Sequence, residues 1–114
     1  MARKLVLTIL ASLAIVALAG CPRQRSIAEI NADPSRFHNK EVAVVGTVTD
    51  SFGAWKSGIY QIDDGTGTIW VLAEHTGVPS KGARVASWGT IIPTVTFAGQ
   101  NFVTVLKEQE RKHR

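Results

Sequence analysis

The chain has 114 residues, a formal net charge of +4, 45% hydrophobic residues and one cysteine. That length holds one small domain, and a lone cysteine excludes an intramolecular disulfide framework. The surplus charge sits at the ends. Between Arg36 and Leu106 five positive residues (Arg36, Lys40, Lys56, Lys81, Arg84) meet five negative ones (Glu41, Asp50, Asp63, Asp64, Glu74), so the surplus is not the basic footprint of a nucleic-acid-binding domain.

The N-terminus divides into three zones. Arg3 and Lys4 are charged, Leu5 to Ala17 is apolar, and Leu18-Ala19-Gly20-Cys21 follows. A charged start, an apolar run of about 7–15 residues and small residues before a cut define a secretion signal. The run is shorter than the ~20 residues that span a bilayer. Leu-Ala-Gly-Cys resembles the lipobox of bacterial lipoproteins. That resemblance implies cleavage after residue 20, a diacylglyceryl group on the Cys21 thiol and acylation of the new amine. It also accounts for the unpaired cysteine, and more than one acyl chain makes anchoring stable. The expected location is the cell envelope, with the protein facing the periplasm or the exterior. Cys21 to Arg25 reads as a short lipidated tether, from which Arg23 and Arg25 can reach anionic head groups.

Ser26-Ile27-Ala28-Glu29 fits a capping box, so a short helix is expected with Ile27 and Ile30 on one face. Asp33-Pro34 ends it, and residues 35–39 read as a turn. From Lys40 the apolar period becomes two, which predicts a first strand through Thr49, with Gly46 marking a bulge or bend. Residues 51–58 read as a loop carrying Phe52 and Trp55. Ile59 to Asp63 and Thr68 to Ala73 are strands around the hairpin signal Asp64-Gly65-Thr66-Gly67. Residues 74–82 hold Pro79 and two glycines and read as a loop. Ala83 to Ile92 is a fourth strand containing Gly89, residues 93–100 a loop with Phe97, Asn101 to Leu106 a fifth strand, and residues 107–114 a charged tail that frays. Five strands without crossover helices predict an all-β, antiparallel sheet that closes into a small barrel, because closure buries the apolar face and removes the edges.

Three segments sharpen that expectation. Val42-Ala43-Val44-Val45-Gly46-Thr47-Val48, then Tyr60-Gln61-Ile62-Asp63-Asp64-Gly65-Thr66-Gly67-Thr68-Ile69-Trp70-Val71, then Gly82-Ala83-Arg84-Val85 with Trp88-Gly89 resemble the OB-fold, in its tRNA-anticodon-type branch. The resemblance spans about residues 36–107. It implies a barrel over residues 26–107 whose ligand surface is the outer face of the second and third strands with the loops beside it. One departure concerns the gap between the third and fourth strands. Many OB-folds place a helix there, whereas this chain has a proline-containing loop. The helix at residues 26–32 is therefore expected to plug the barrel end through Ile27 and Ile30.

Carried onto this sequence, the ligand surface holds Phe52, Trp55, Lys56, Tyr60, Trp70 and Phe97. Such aromatics stack on bases or sugar rings, or anchor a protein partner. Alternation leaves open whether Tyr60, Trp70 and Trp88 are core, since Thr68 to Leu72 is apolar on both sides. Trp55 is different, because it lies in a glycine-flanked loop beside Lys56 where no core needs it. Asp63 and Asp64 point to opposite faces and read as turn residues, not a carboxylate pair. His38, His75 and His113 are too scattered for a metal site. No nucleophile–base pair and no phosphate loop occur. The reading is a membrane-anchored, non-enzymatic OB-fold module that binds an envelope protein or glycan without cofactor. Single-stranded nucleic acid is the alternative, disfavoured by the neutral domain.

Overall fold

The computed structural model describes residues 23–114. Residues 1–22, with the expected signal segment and Cys21, lie outside the described residues. Eight elements follow in order: β1 (Arg23–Gln24), α1 (Ile27–Ala32), α2 (Pro34–Phe37), β2 (Glu41–Ala54), β3 (Ser57–Asp63), β4 (Thr68–Ala73), β5 (Arg84–Phe97) and β6 (Gln100–His113). The sheet order is β1-β2-β3-β4-β6-β5, and β5 pairs back onto β2, so five long strands close a barrel. Closure differs from the expectation in one respect. β4 and β6 pair in parallel through Trp70↔Val105 and Leu72↔Lys107, so the barrel is not wholly antiparallel.

β2 serves two neighbours in turn. Residues Glu41 to Thr47 pair with β5, and Thr47 to Ala54 pair with β3. The handover falls at Thr47, beside Gly46, where an added Cβ would stand 2.4 Å from the Asp63 backbone oxygen. Gly89 is tighter still. Its Cβ would stand 1.9 Å from the Lys107 oxygen, beside the register shift that follows Trp88. Both internal glycines therefore mark close backbone approach where strands bend, as their position inside strand patterns suggested.

The core fills the barrel with alternate residues of every strand, among them Val42, Val44, Val48, Ile62, Ile69, Val71, Val85 and Leu106. α1 completes it. Ile27 and Ile30 are both fully buried in this cluster, and burial of that extent stabilises by ~1.5–3 kcal/mol per side chain. Ser26 caps α1, accepting a hydrogen bond from Glu29 N at 3.1 Å. The β3–β4 turn caps it a second time. Ile27 N donates to Asp64 Oδ2 at 2.9 Å, and Ala28 N donates to Thr66 Oγ1 at 3.1 Å. Three N–H groups that a helix start leaves unpaired are thus satisfied. Glu29 does not close the reciprocal half of a capping box; its carboxylate meets Arg25 at 3.0 Å.

Several segments read as irregular are ordered. The loop expected at 51–58 is the far end of β2, a two-residue turn at Trp55-Lys56 and the start of β3, with Ala54 opposite Ser57. The loop expected at 93–100 is strand to Phe97, then a turn with Ala98 and Gly99 both at positive φ, the backbone that a two-residue hairpin loop requires. Residues 107–113 continue β6 instead of fraying. The tether is clamped as well: β1 pairs in parallel with β2, and Arg25 N donates to Ala43 O at 2.9 Å. Residues 34–37, expected partly as a turn, form the single helical turn α2, which buries Phe37. Residues 74–82 are a loop containing no helix, as expected, and Ala83, expected to open the next strand, belongs to that loop as well.

Candidate functional site

The outer face of the barrel carries a row of aromatics. Strand alternation places Trp70 outside, because its neighbours Ile69 and Val71 are core. Phe52 on β2 lies 6.1 Å from Trp70 between ring centroids, and Phe102 on β6 lies 5.0 Å from it on the other side, edge-on. These separations are those of favourable aromatic pairs. The row therefore crosses β2, β4 and β6. Ile59, Leu72 and Val105 are buried yet stand outside the barrel's core cluster. Register puts Ile59 opposite Phe52 and Leu72, and Val105 opposite Trp70. The outer face thus has an apolar floor of its own. Thr49 Oγ1 donating to Gln61 Oε1 at 2.9 Å gives it a polar margin.

Trp55 stands at the tip of the β2–β3 hairpin. It is 95% exposed, and its φ is +66°. A bulky side chain in the left-handed region is strained, and water gains nothing from an exposed indole. The tip is propped from behind: Gly77 N donates to Lys56 O at 2.8 Å, and the Val78 side chain packs against Gly53 and Gly58. The two-residue turn sets that φ, as it does at Ala98, so the exposure of the indole is what makes the tip a candidate contact.

Of the six residues assigned to the ligand surface, Phe52 and Trp70 come together, and Trp55 and Lys56 form one hairpin tip. Phe97 lies at the end of the other long hairpin, half-buried, opposite Gln100. Tyr60 does not belong to the surface. It is fully buried in the core, because alternation turns it inward beside outward-facing Ile59 and Gln61. Trp88 is half-buried on the outside of the barrel. Phe102 was missed; it lies within the predicted fifth strand, and the rule that this strand adjoins the third would have found it.

The sequence also gave no sign of a polar cluster at Tyr60. The Tyr60 hydroxyl donates to Glu108 Oε2, which also accepts from Ser87 Oγ at 2.8 Å. Glu108 Oε1 accepts from Thr76 Oγ1 at 3.2 Å and pairs with Arg111 at 3.2 Å. The Glu108 side chain is 2% exposed. Arg111 donates onward to Gly77 O at 3.1 Å, and its guanidinium lies 5.4 Å from the Tyr60 ring centroid. Burial, reinforced by the Glu108 carboxylate, pushes the Tyr60 phenol well above its ordinary value. The cluster ties β6 to the loop that props the Trp55 hairpin. No apolar period marks Glu108 or Arg111 within a charged stretch, so nothing in the sequence distinguished them.

Asp64 is occupied by structure. Its carboxylate accepts from Thr66 N and Oγ1, Gly67 N and Ile27 N. Burial alone would raise its pKa, but these hydrogen bonds outweigh it and hold the carboxyl below the usual range. Among the described residues, no three His, Cys, Asp or Glu side chains gather to hold a metal ion.

Comparison with solved structures places this geometry. Two OBodies, each bound to hen egg-white lysozyme, superpose with TM-scores of 0.53 and 0.51 at 19% and 18% identity. They cover 68% and 69% of this chain and 84% and 83% of their own. An aspartyl-tRNA synthetase from Leishmania major Friedlin, described as putative, superposes with a TM-score of 0.57 at 12% identity. That match covers 90% of this chain and 26% of the synthetase. The fold is an OB barrel. No family model matches the chain, and no curated protein matches its sequence. In this barrel, the aromatic row crosses the outer face of β2, β4 and β6.

Proposed function

We propose that this chain is a lipid-anchored, non-enzymatic binding module of the bacterial cell envelope. It holds a protein or glycan partner against the outer face of β3 and β4. The observation that carries the reading is the row Phe52–Trp70–Phe102 with Trp55 fully exposed beside it. Flat apolar rings on a rigid sheet stack on sugar rings or fill pockets of a partner protein, and aromatic anchors dominate such interfaces. Cys21, acylated after removal of residues 1–20, supplies the membrane attachment. The titratable residues of the face and its hairpins include Lys56, Lys107, Asp50 and Asp63, which form neither a catalytic pair nor a phosphate-binding track.

A photo-crosslinking residue placed at position 55 in the full chain tests this in living cells. The expected outcome is one discrete adduct, absent when the same residue replaces Ala32 on α1. A labelled single-stranded oligonucleotide titrated at low and moderate salt tests the nucleic-acid alternative. Tight, salt-sensitive binding that Trp55→Ala abolishes would replace the proposed partner with nucleic acid. Absence of binding at low salt leaves protein and glycan, separated by whether the adduct is sensitive to protease or to glycan hydrolase.

A further inference from the structure

The barrel has a second outer face, made by β1, β2 and β5, that the aromatic row does not reach. Gln24, Ala43, Val45, Ala86, Trp88 and Arg114 line a shallow groove there of about 250 Å³. Its floor is apolar and small, and Trp88 forms its wall. Lys112 Nζ lies 5.7 Å from the Trp88 ring centroid. Register places Lys112 opposite Ala86 and Glu110 opposite Trp88, so both belong to this face. Arg84 lines an adjoining groove with Arg25 and Asp64. Arg25 is paired with Glu29, and Asp64 is engaged by the α1 N-terminus. Among the described residues, Arg84, Lys112 and Arg114 are exposed and form no ion pair. Their acidic neighbours on the face are Glu41 and Glu110.

We propose that this face is the contact surface for an anionic lipid bilayer. Two observations select that occupant. A half-buried indole rimmed by lysine and arginine matches the water–hydrocarbon interface, where the ring settles at headgroup level and the cations meet phosphate. The second is the chain path. β1 begins at Arg23, two residues after Cys21, and is hydrogen-bonded to β2 at the edge of this groove. Two residues reach about 7 Å at full extension. An acylated Cys21 therefore holds β1, and with it the groove, against the membrane. The position of the face rests on the anchor reading above, whereas its chemistry stands on Trp88, Arg84, Lys112 and Arg114 alone.

The full chain, extracted from membranes, is reconstituted into vesicles of brominated phosphatidylglycerol or brominated phosphatidylcholine, and its tryptophan fluorescence is read. Quenching is expected in the anionic vesicles, its amplitude lost in Trp88→Phe and kept in Trp55→Phe. Lys112→Gln with Arg114→Gln is expected to bring quenching down to the phosphatidylcholine level. Thermal unfolding of each variant confirms that it is folded. Quenching that follows Trp55 instead of Trp88, or that ignores both lipid charge and the double variant, overturns the proposal. So does a dimer in which Trp88 is already shielded from aqueous iodide without vesicles, since that gives the face to a second copy. Intact mass of the extracted chain tests the anchor separately. If it carries no acyl group, the anchor fails, and titrating the chain with the same vesicles reads partition directly. The proposal then requires about 30-fold weaker partition in the double variant, from roughly five-fold per basic residue.

Discussion

Tyr60 and Trp70 lie on neighbouring strands, one rung apart, with Tyr60 opposite Val71 and Gln61 opposite Trp70. One turns into the barrel and the other out of it. Around Tyr60, every polar atom finds a partner: Glu108 gathers Tyr60, Ser87, Thr76 and Arg111. Around Trp70, the neighbours are aromatic, and the row stays open to solvent. The same hairpin thus carries a closed cluster that serves stability and an open row suited to binding. Their chemistry separates them more clearly than their position, since a satisfied network has nothing left to offer a ligand.

That contrast can be broken from the inside first. Glu108→Ala leaves the Arg111 charge, the Tyr60 hydroxyl and the Ser87 hydroxyl without their acceptor. A loss of about 3–5 kcal/mol in chemical denaturation is expected, with the adduct at position 55 formed normally by whatever fraction remains folded. An unchanged stability would place Glu108 in water and dissolve the contrast.

Asp64→Ala removes a carboxylate shared by the β3–β4 turn and the α1 N-terminus. About 1–2 kcal/mol is expected at neutral pH, as for a lost helix cap. Its folded pKa lies below the ordinary value of about 4, so its contribution is present above that pH and is lost as the pH falls. Urea midpoints measured from pH 6 to pH 2 should therefore fall less steeply in Asp64→Ala than in the parent.

Tyr60→Phe keeps the ring and removes the donor, at an expected cost of about 1 kcal/mol. The raised phenol pKa gives the opposite pH signature. Stability from protonated Tyr60 is complete below about pH 10 and declines as the pH climbs above it. Guanidinium midpoints between pH 8 and pH 11.5 should show an alkaline decline in the parent that Tyr60→Phe flattens. The smallest effect lies on the open row. Trp55→Gly relieves a positive φ at a side chain that buries nothing, so stability is expected to stay level or rise by about 0.5–1 kcal/mol. Crosslinking from Phe52 should drop severely in the same variant. A fall in stability would make Trp55 a structural residue.

Much of this organisation is legible in the residues. Val42 to Val48 alternate strictly and bury one side; Ser26 caps α1; Ile27 and Ile30 close the barrel; Gly46 and Gly89 mark the two closest backbone approaches. The site is half legible. Phe52, Trp55 and Trp70 stand out as aromatics near hairpins, but Tyr60 belongs to the inside, and Phe102 joins the row only because β6 lies beside β4. The hairpin arms were hidden by their composition. Gly53 and Gly58 around Trp55, and Pro93 before Thr94, read as loop residues, yet the ladder runs past them.

By itself, the sequence determined what depends on near neighbours: strand period, turn chemistry, the helix cap, the single cysteine and the three-zone N-terminus. These follow from backbone sterics and from local apolar spacing, which act over a few residues. Only the tertiary structure decided which way Tyr60, Trp70 and Trp88 face, and that Glu108 and Arg111, in a charged stretch without period, form a buried pair. Those outcomes depend on contacts between residues distant in sequence, such as Tyr60 with Glu108 and Trp70 with Phe102. Burial of a charge is favourable only where distant strands deliver its partners, and no local pattern records that delivery.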